Sequence, residues 1–405
     1  MSAERRFRFA VSYVPVFVAR IGSGANTFLV AMLASGGDVA AGFVMAAYPL
    51  MEAIGALLAG SWSDFAGRKR TLIAGYVARS AGMLSLAAVF ALSSSSPGSL
   101  VFAALEAALN GVVGFTTALI LVSSLSMATD LTETGNRGLG MGGFEFVNLA
   151  SYGAGYLLGS LLYSVLPGYP AYLAVALLTA LATPVFAAFL EETRPPVPLV
   201  RRGLLSSLPR SALVLLPVWV ALTTIIGIGI YAPRVIHDHL GAVHGPAIGK
   251  AGIGLLFLGA LVLLGSGAVF FGRLSDSWGR VKVFRLGLAG GLAALSAMSV
   301  LLALGVDILR AAAAVAPLMF LTSAVGPTIL ALVGDQASTD ARGRVMGVYS
   351  VVLGLGMGLG SILAGLASSA LPYNRPLALS LVALAAYSVA ALAHLYLERR
   401  LGGSL

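Results

Sequence analysis

Apolar residues fall in blocks of about twenty along the whole chain, separated by short polar breaks, with no sustained alternation of polar and apolar positions. Each block can cross a hydrocarbon core roughly 30 Å thick. The backbone must satisfy its own hydrogen bonds there, so the blocks are read as helices. They predict helices at about 9–33, 39–61, 71–92, 98–126, 138–164 and 170–190. A second set is expected at 211–234, 250–272, 283–305, 310–334, 343–371 and 376–397. Between the sets, Glu191 to Arg210 carries Pro195, Pro196, Pro198 and Pro209 with four arginines and breaks the apolar pattern, as a linker does. The expected organisation is therefore a six-helix bundle at 1–190, a linker at 191–210 and a second six-helix bundle at 211–405. The first apolar block runs past the length of a signal peptide without a convincing cleavage site, so no removed leader is expected.

The polar breaks repeat. GSWSDFAGRKR, Gly60 to Arg70, returns about two hundred residues later as GRLSDSWGRVK, Gly272 to Lys282. A second repeat follows in each half: Asp130 precedes Arg137-Gly138 and Met141-Gly142, and Asp335 precedes Arg342-Gly343 and Met346-Gly347 at the same spacing. The two offsets agree closely enough to mark an internal duplication.

The first break resembles the loop between the second and third membrane helices of the major facilitator superfamily, G-x-x-x-D-x-x-G-R-[KR], at Gly60, Asp64, Gly67, Arg68 and Lys69. The second supplies Gly272, Asp276, Gly279 and Arg280, with Val281 in place of the second base. The resemblance implies an all-α integral membrane protein of twelve helices in two pseudo-symmetric six-helix bundles, with the site between them near the midplane. It also implies a gate: Asp64 meets the start of helix 11, Arg68 meets Asp130, and Arg280 meets Asp335. The residue-level alternative is that these bases only anchor topology.

Composition agrees with the pattern and narrows it. The chain is 58% hydrophobic and 10% charged, where soluble domains carry about a quarter charged residues. It contains no cysteine, which excludes disulfides and thiolate metal sites. The net charge of +9 does not point to nucleic acid, because nineteen of the 25 bases flank the spans on one side. Only Arg234, Lys250, Arg310 and Arg375 fall in the opposite loops. By the positive-inside rule the motif side is cytoplasmic, with both termini there, in a cell membrane. The expected partners are the lipid bilayer, a small-molecule substrate and protons, with the protein a monomer and no cofactor.

Five ionisable residues lie within the spans, all in the N-terminal half: Arg20, Glu52, Arg79, Glu106 and Glu145. A charge at membrane depth is costly, so it pairs or lines a wet cavity. Helical spacing puts Tyr13, Arg20, Ser23 and Thr27 on one face of helix 1. It does the same for Glu106, Asn110 and Thr117 on helix 4, and for Glu145, Asn148 and Tyr152 on helix 5. Arg20, Glu52 and Glu106 fall at similar depths. Arg20 is expected to pair with Glu52 or Glu106 while the other carboxylate exchanges a proton; the alternative is a permanent ion pair. Arg79 and Glu145 lie toward the cytoplasmic mouth, as structural or gate residues. Gly155, Tyr156, Gly159 and Ser160 only partly match the helix-5 pattern of exporters in the family, and close helix packing explains the glycines.

The resemblance also places helices 1, 4, 7 and 10 around the cavity, which makes Trp219, Thr223, Tyr231, Thr322 and Ser323 candidate substrate contacts, with lipid exposure the alternative for Trp219. His237, His239 and His244 beside Asp238 are read as a solvated outer loop rather than a metal site, and His394 as an interfacial residue. No nucleotide-binding loop or nucleophile–base set stands out, so neither an enzyme nor an ATP-driven pump is expected. The leading functional expectation is proton-coupled export of partly apolar organic compounds by alternating access. The alternatives are uptake or exchange of an organic anion held by Arg20, and a non-transporting membrane sensor or assembly factor.

Overall fold

A computed structural model describes the backbone of residues 13–131, 137–193, 210–244, 246–336 and 342–400. Side chains are described over the same stretches except 128–131, 137–146, 210–212, 241–244, 246–251, 333–336 and 342–349. Among these residues the chain is thirteen α-helical segments and one 3-10 turn. The first six are α1 Val14–Leu33, α2 Gly37–Ala66, α3 Arg68–Ser93, α4 Leu100–Leu131, α5 Arg137–Val165 and α6 Tyr169–Phe189. The others are α7 Arg210–His244, α8 Pro246–Trp278, α9 Arg280–Ala303, α10 Ile308–Thr322, α11 Val325–Gln336, α12 Arg342–Ala370 and α13 Arg375–Arg400. Eleven stretches among the described residues are long and apolar enough to cross a membrane, with α10 and α11 together forming one of them.

The helices begin and end close to where the apolar blocks do, with two instructive departures. The tenth span is broken. Pro327 lacks an N–H for the Ser323 carbonyl, and its ring crowds that oxygen, so the helix stops at Thr322 and restarts at Val325. The seventh span is longer than its apolar block and continues through the histidines to His244. The expected outer loop is therefore helix. Ile236 and Leu240 are buried on one side of it, while His237, Asp238 and His239 find partners on the other.

Both motif loops turn on a glycine. Gly67 ends α2 and opens α3 at φ +97°, ψ 145°, and Gly279 does the same between α8 and α9 at φ +93°, ψ 134°. A side chain is strained in that region, which accounts for a glycine at the same place in both copies. Packing repeats as well. A side chain at Gly24 of α1 would collide with the Tyr152 carbonyl of α5, and one at Gly227 of α7 with the Met357 carbonyl of α12. The first and fifth helices of each half thus meet backbone to backbone, as small residues permit.

The core is divided unevenly along the molecule. At the far end, away from the motif loops, one large apolar cluster joins both halves: Phe28, Leu29, Met45 and Tyr172 with Ile230, Tyr231, Val235, Leu240 and Leu379. At the motif end there are separate clusters. One holds Ala19, Leu72, Tyr76, Ile120, Met127, Phe186 and Leu190. Another holds Leu215, Val218, Trp219, Phe284, Leu288, Val325 and Tyr387.

Candidate functional site

The halves touch through α2 against α12 and α5 against α8. Gly42 faces Ser361 and Gly365, Leu50 faces Gly358, and Ala53 faces Gly354. Tyr156 stacks on Phe257 at 4.9 Å, and Leu157 and Ser160 cradle Gly254. Beside the last of the described α2–α12 contacts, Ala53 against Gly354, stands an ion pair. Arg20 Nη2 lies 3.0 Å from Glu52 Oε1, with 12% and 18% of the side chains exposed. Both residues are about 20 Å in from the far ends of α1 and α2 at 1.5 Å per residue. Arg20 also donates from Nε to Asn148 Oδ1, and its guanidinium lies 5.8 Å over the Tyr152 ring. Tyr152 in turn shares a 2.8 Å hydrogen bond with Thr27.

Glu106 is not part of this cluster. The two carboxylates expected at Arg20 separate because Glu106 is spent at the far end, where its oxygens accept from the Ser35 backbone N–H at 2.8 Å and the Ser35 hydroxyl at 2.7 Å. Ser35 lies just beyond the end of α1, and a fully buried carboxylate satisfies its exposed donors. Asn110, a turn further along α4, accepts from Asn26 Nδ2 at 3.1 Å and donates to the Val44 carbonyl at 2.8 Å. Asn26 also accepts from the Tyr172 hydroxyl. These amides, with Thr27, Val30, Met45, Tyr48, Pro49 and Ile230, line a cavity of about 10 Å³, near the lower limit for one water. Thr117 donates within α4 to Val113.

Arg79 is deeper than expected for a mouth residue. It is fully buried, and it donates to the Ala19 carbonyl at 2.9 Å and to Ser23 Oγ at 3.2 Å. Tyr48 donates to the same Ser23 oxygen at 2.8 Å. The side chain of Glu145 lies outside the described residues.

The second half supplies less to the site than its helix numbers suggest. Trp219 is buried in the apolar cluster of the second half rather than in the cleft or toward lipid. Thr223 donates to carbonyls of its own turn and of Val352, pressed against Gly356 of α12. Thr322 and Ser323 bond to carbonyls of their own helix beside the break. Tyr231, placed near substrate by the sequence, reaches across the halves instead and donates to Asp38 Oδ1 at 3.0 Å. His394 points into the second half. It is buried, with Nδ1 2.9 Å from the Val214 carbonyl and its ring against Phe284.

Asp38, which the sequence did not single out, is the hub of the far end. Arg375 Nη2 lies 2.9 Å and Arg234 Nε 3.4 Å from its two oxygens. Arg234 also donates to the Ala34 carbonyl at 3.0 Å, and Arg375 reaches Asp238 at 2.9 Å. Two helices of the second half thus grip the end of α1 and the start of α2. A signal was present: Arg234 and Arg375 are two of the four bases on the side where bases are scarce.

At the motif end each aspartate of the repeated loop has a described partner four residues on. Asp64 lies 3.3 Å from Arg68 and Asp276 3.6 Å from Arg280, each within its own loop. Glu192, at the start of the linker, accepts from the backbone N–H groups of Arg68 and Lys69 at 3.0 and 3.1 Å. It satisfies donors that open α3 and meets the positive end of the helix. Gly60 faces open space, and Gly272 passes Pro327. The side chains of Asp130, Arg137, Asp335 and Arg342 lie outside the described residues.

Two helical halves that share a core at one end, form separate clusters at the other among the described residues, and hold an ion pair between the two levels are the build of an integral membrane protein that moves a solute. The family model of the Major Facilitator Superfamily matches residues 16–246 and 218–403. The chain belongs to that superfamily, and is a secondary transporter rather than an enzyme. Solved structures share the fold at low identity. A bacterial homolog of the human lysosomal transporter Spinster, inward-facing and unoccupied, is 14% identical at a TM-score of 0.72, covering 98% of each chain. The nucleoside transporter NupG, solved as a point mutant, is 11% identical at 0.72, covering 96% of this chain and 99% of its own. The xylose transporter XylE from E. coli, inward open, is 14% identical at 0.70, covering 96% and 95%. No curated protein matches the sequence significantly.

Proposed function

We propose that the protein moves a small, partly apolar organic solute out of the cell by alternating access, coupled to protons through the Arg20–Glu52 pair. The observation that carries this reading is the position of that pair: it sits about 20 Å in from the far ends of α1 and α2, beside the contact between halves, with both partners partly accessible. A carboxylate beside a guanidinium stays ionised; once the partner is engaged elsewhere or the site is desolvated, it takes a proton. Arg20 has alternative partners ready in Asn148 and Tyr152, so losing Glu52 does not leave it bare. Glu106, saturated by Ser35 at the sealed end, is poorly placed for that exchange.

The count of bases favours a cytoplasmic motif end, and the separate apolar clusters described there support a state open on that side, from which an exporter loads. Two of the similar structures were captured inward-facing or inward open, in keeping with that polarity. The scarcity of charge in the spans of the second half favours a partly apolar cargo.

The test is a proteoliposome flux assay under an imposed pH gradient with a panel of organic solutes. Native protein should accumulate a solute against its gradient and move protons in the opposite direction, and Glu52→Gln should abolish proton movement while facilitated exchange persists. Solute movement indifferent to the gradient, or a Glu52→Gln protein that still concentrates solute, overturns the coupling.

A further inference from the structure

We propose that Arg79 is an anion subsite, and that the cargo therefore carries a carboxylate or comparable small anionic group. This rests on the reading that the Arg20–Glu52 level is where solute binds, and it goes beyond it by naming what that solute must carry.

The argument is one of charge. Arg79 is fully buried, and its described partners, the Ala19 carbonyl and the Ser23 hydroxyl, are both neutral. Its Nε has no partner, and none of the ion pairs among the described residues includes it. Ser23 has nothing further to offer. Its hydroxyl donates to the Ala19 carbonyl at 2.9 Å and accepts from both Arg79 and Tyr48, which exhausts one donor and two lone pairs. A guanidinium does not give up its proton in a protein. It cannot escape its burial by becoming neutral, as a lysine can.

The neighbourhood does not balance it. Glu52 is already held by Arg20, so the two guanidiniums flanking the Ala19–Ser23 turn of α1 share one carboxylate among the described side chains. The local backbone accommodates the guanidinium closely. Gly22 lies beside the guanidinium, where a Cβ would come within 3.0 Å of Nη2 and 3.4 Å of the Thr179 hydroxyl. A buried, unneutralised charge in a membrane span is retained where it serves a ligand or an ion path, and a planar fork of donors is the geometry that reads a carboxylate.

The experiment measures thermal stabilisation of the full chain in nanodiscs by benzoate, succinate and inorganic phosphate, against neutral benzamide and cationic benzylamine. Carboxylates should stabilise the native protein and the neutral and cationic compounds should not; phosphate acting alone would move the cargo class from carboxylates to phosphates. Arg79→Gln should raise the half-stabilising concentration about tenfold or more, and Arg79→Lys, which keeps the charge without the fork, by less. Where Arg79→Gln fails to fold, Gly22→Ala, which crowds the guanidinium without removing it, should weaken carboxylate binding alone. Glu145→Gln should leave carboxylate binding intact; a large gain in it would mean that Glu145 is the counter-ion and would overturn the proposal. Equal stabilisation by benzylamine, or an Arg79→Gln response like the native one, would also overturn it. Gradient-driven movement of a neutral or cationic solute that depends on Glu52 would sink the anion subsite and spare the coupling. Carboxylate stabilisation without gradient-driven flux would do the reverse.

Discussion

The two ends of this molecule are held together by opposite strategies. At the far end, charges pair between halves: Asp38 of the first half is gripped by Arg234 and Arg375 of the second, over a core that both halves share. At the motif end the described pairs, Asp64–Arg68 and Asp276–Arg280, close within their own loops, over cores that are separate. Among the described residues, then, the signature most visible in the sequence lies at the end where no shared core is seen, and the ties between halves are made by residues that carry no signature. An alternating-access protein needs one end tied and the other loose at any moment, and the contrast between the ends identifies which groups do the tying. If it is right, disturbing the far end should change which side opens, and disturbing the motif end should change little in this state.

The largest effect is expected from Asp38→Asn. It leaves two guanidiniums and the Tyr231 hydroxyl facing a neutral amide. Removing one partner from a fully buried pair costs about 3–5 kcal/mol, and the partial exposure of Arg375 lowers the expectation to about 2–3 kcal/mol. The chain has no cysteine, so one introduced at Ile230, buried beside the far-end cavity, reports directly. A membrane-impermeant maleimide added from the far side should label Ile230→Cys at least tenfold faster in the Asp38→Asn background. Unchanged labelling would mean that the apolar core, not the ion hub, makes the seal.

Next comes Gly42→Leu. Any side chain there meets the Ser361 carbonyl and the Gly365 backbone of α12, and overpacking costs about 1–3 kcal/mol. Because the wedge acts between the halves, it should raise far-side labelling at Ile230 by severalfold while leaving each half folded by circular dichroism. A loss of melting temperature with no change in labelling would locate the strain inside one half instead.

These expectations also show what the sequence can and cannot reveal. The spans are legible because the bilayer imposes a length, and the duplication is legible because the loops repeat their residues. Depth, counted along the helices, narrows the partner of Arg20 to Glu52 or Glu106 without choosing between them. Asp38 is not legible in this way. It reads as an ordinary acidic residue in a helical first turn, and its partners are near residues 234 and 375, fixed only by how the halves dock. Glu106 illustrates the same limit: depth puts it near Arg20, but the exposed donors after the end of α1 decide its partner. The run through His237 to His244 reads as a loop because it is polar. The helix persists because Ile236 and Leu240 keep one face in the core. For Trp219, Thr223 and Tyr231 the only guide is helix number, which fixes neither rotation about the axis nor which face meets the cleft.

Glu192→Gln tests the motif end more gently. It removes a carboxylate that accepts from two backbone N–H groups at the start of α3. Losing such a cap costs about 0.5–2 kcal/mol, and an amide oxygen can still accept one of the bonds. A fall in melting temperature of a few degrees is expected, with far-side labelling at Ile230 unaltered. A rise in that labelling would mean that the linker governs the far end as well.

Asp64→Asn should do least in this state, and for that reason it says most about the other one. Asp64 is 49% exposed and its described ion pair lies within the same loop, an arrangement usually worth about 0–1 kcal/mol. The melting temperature should hardly change. If the motif is a latch, its work is done when the motif end closes, and the substitution should penalise only that state. The decisive comparison is Asp64→Asn on top of Asp38→Asn, read by far-side labelling at Ile230. A latch predicts that the second substitution pulls labelling back down, because the closed motif end required for far-side opening has lost its tie. Labelling identical in the single and double variants would reduce the motif to a topological anchor.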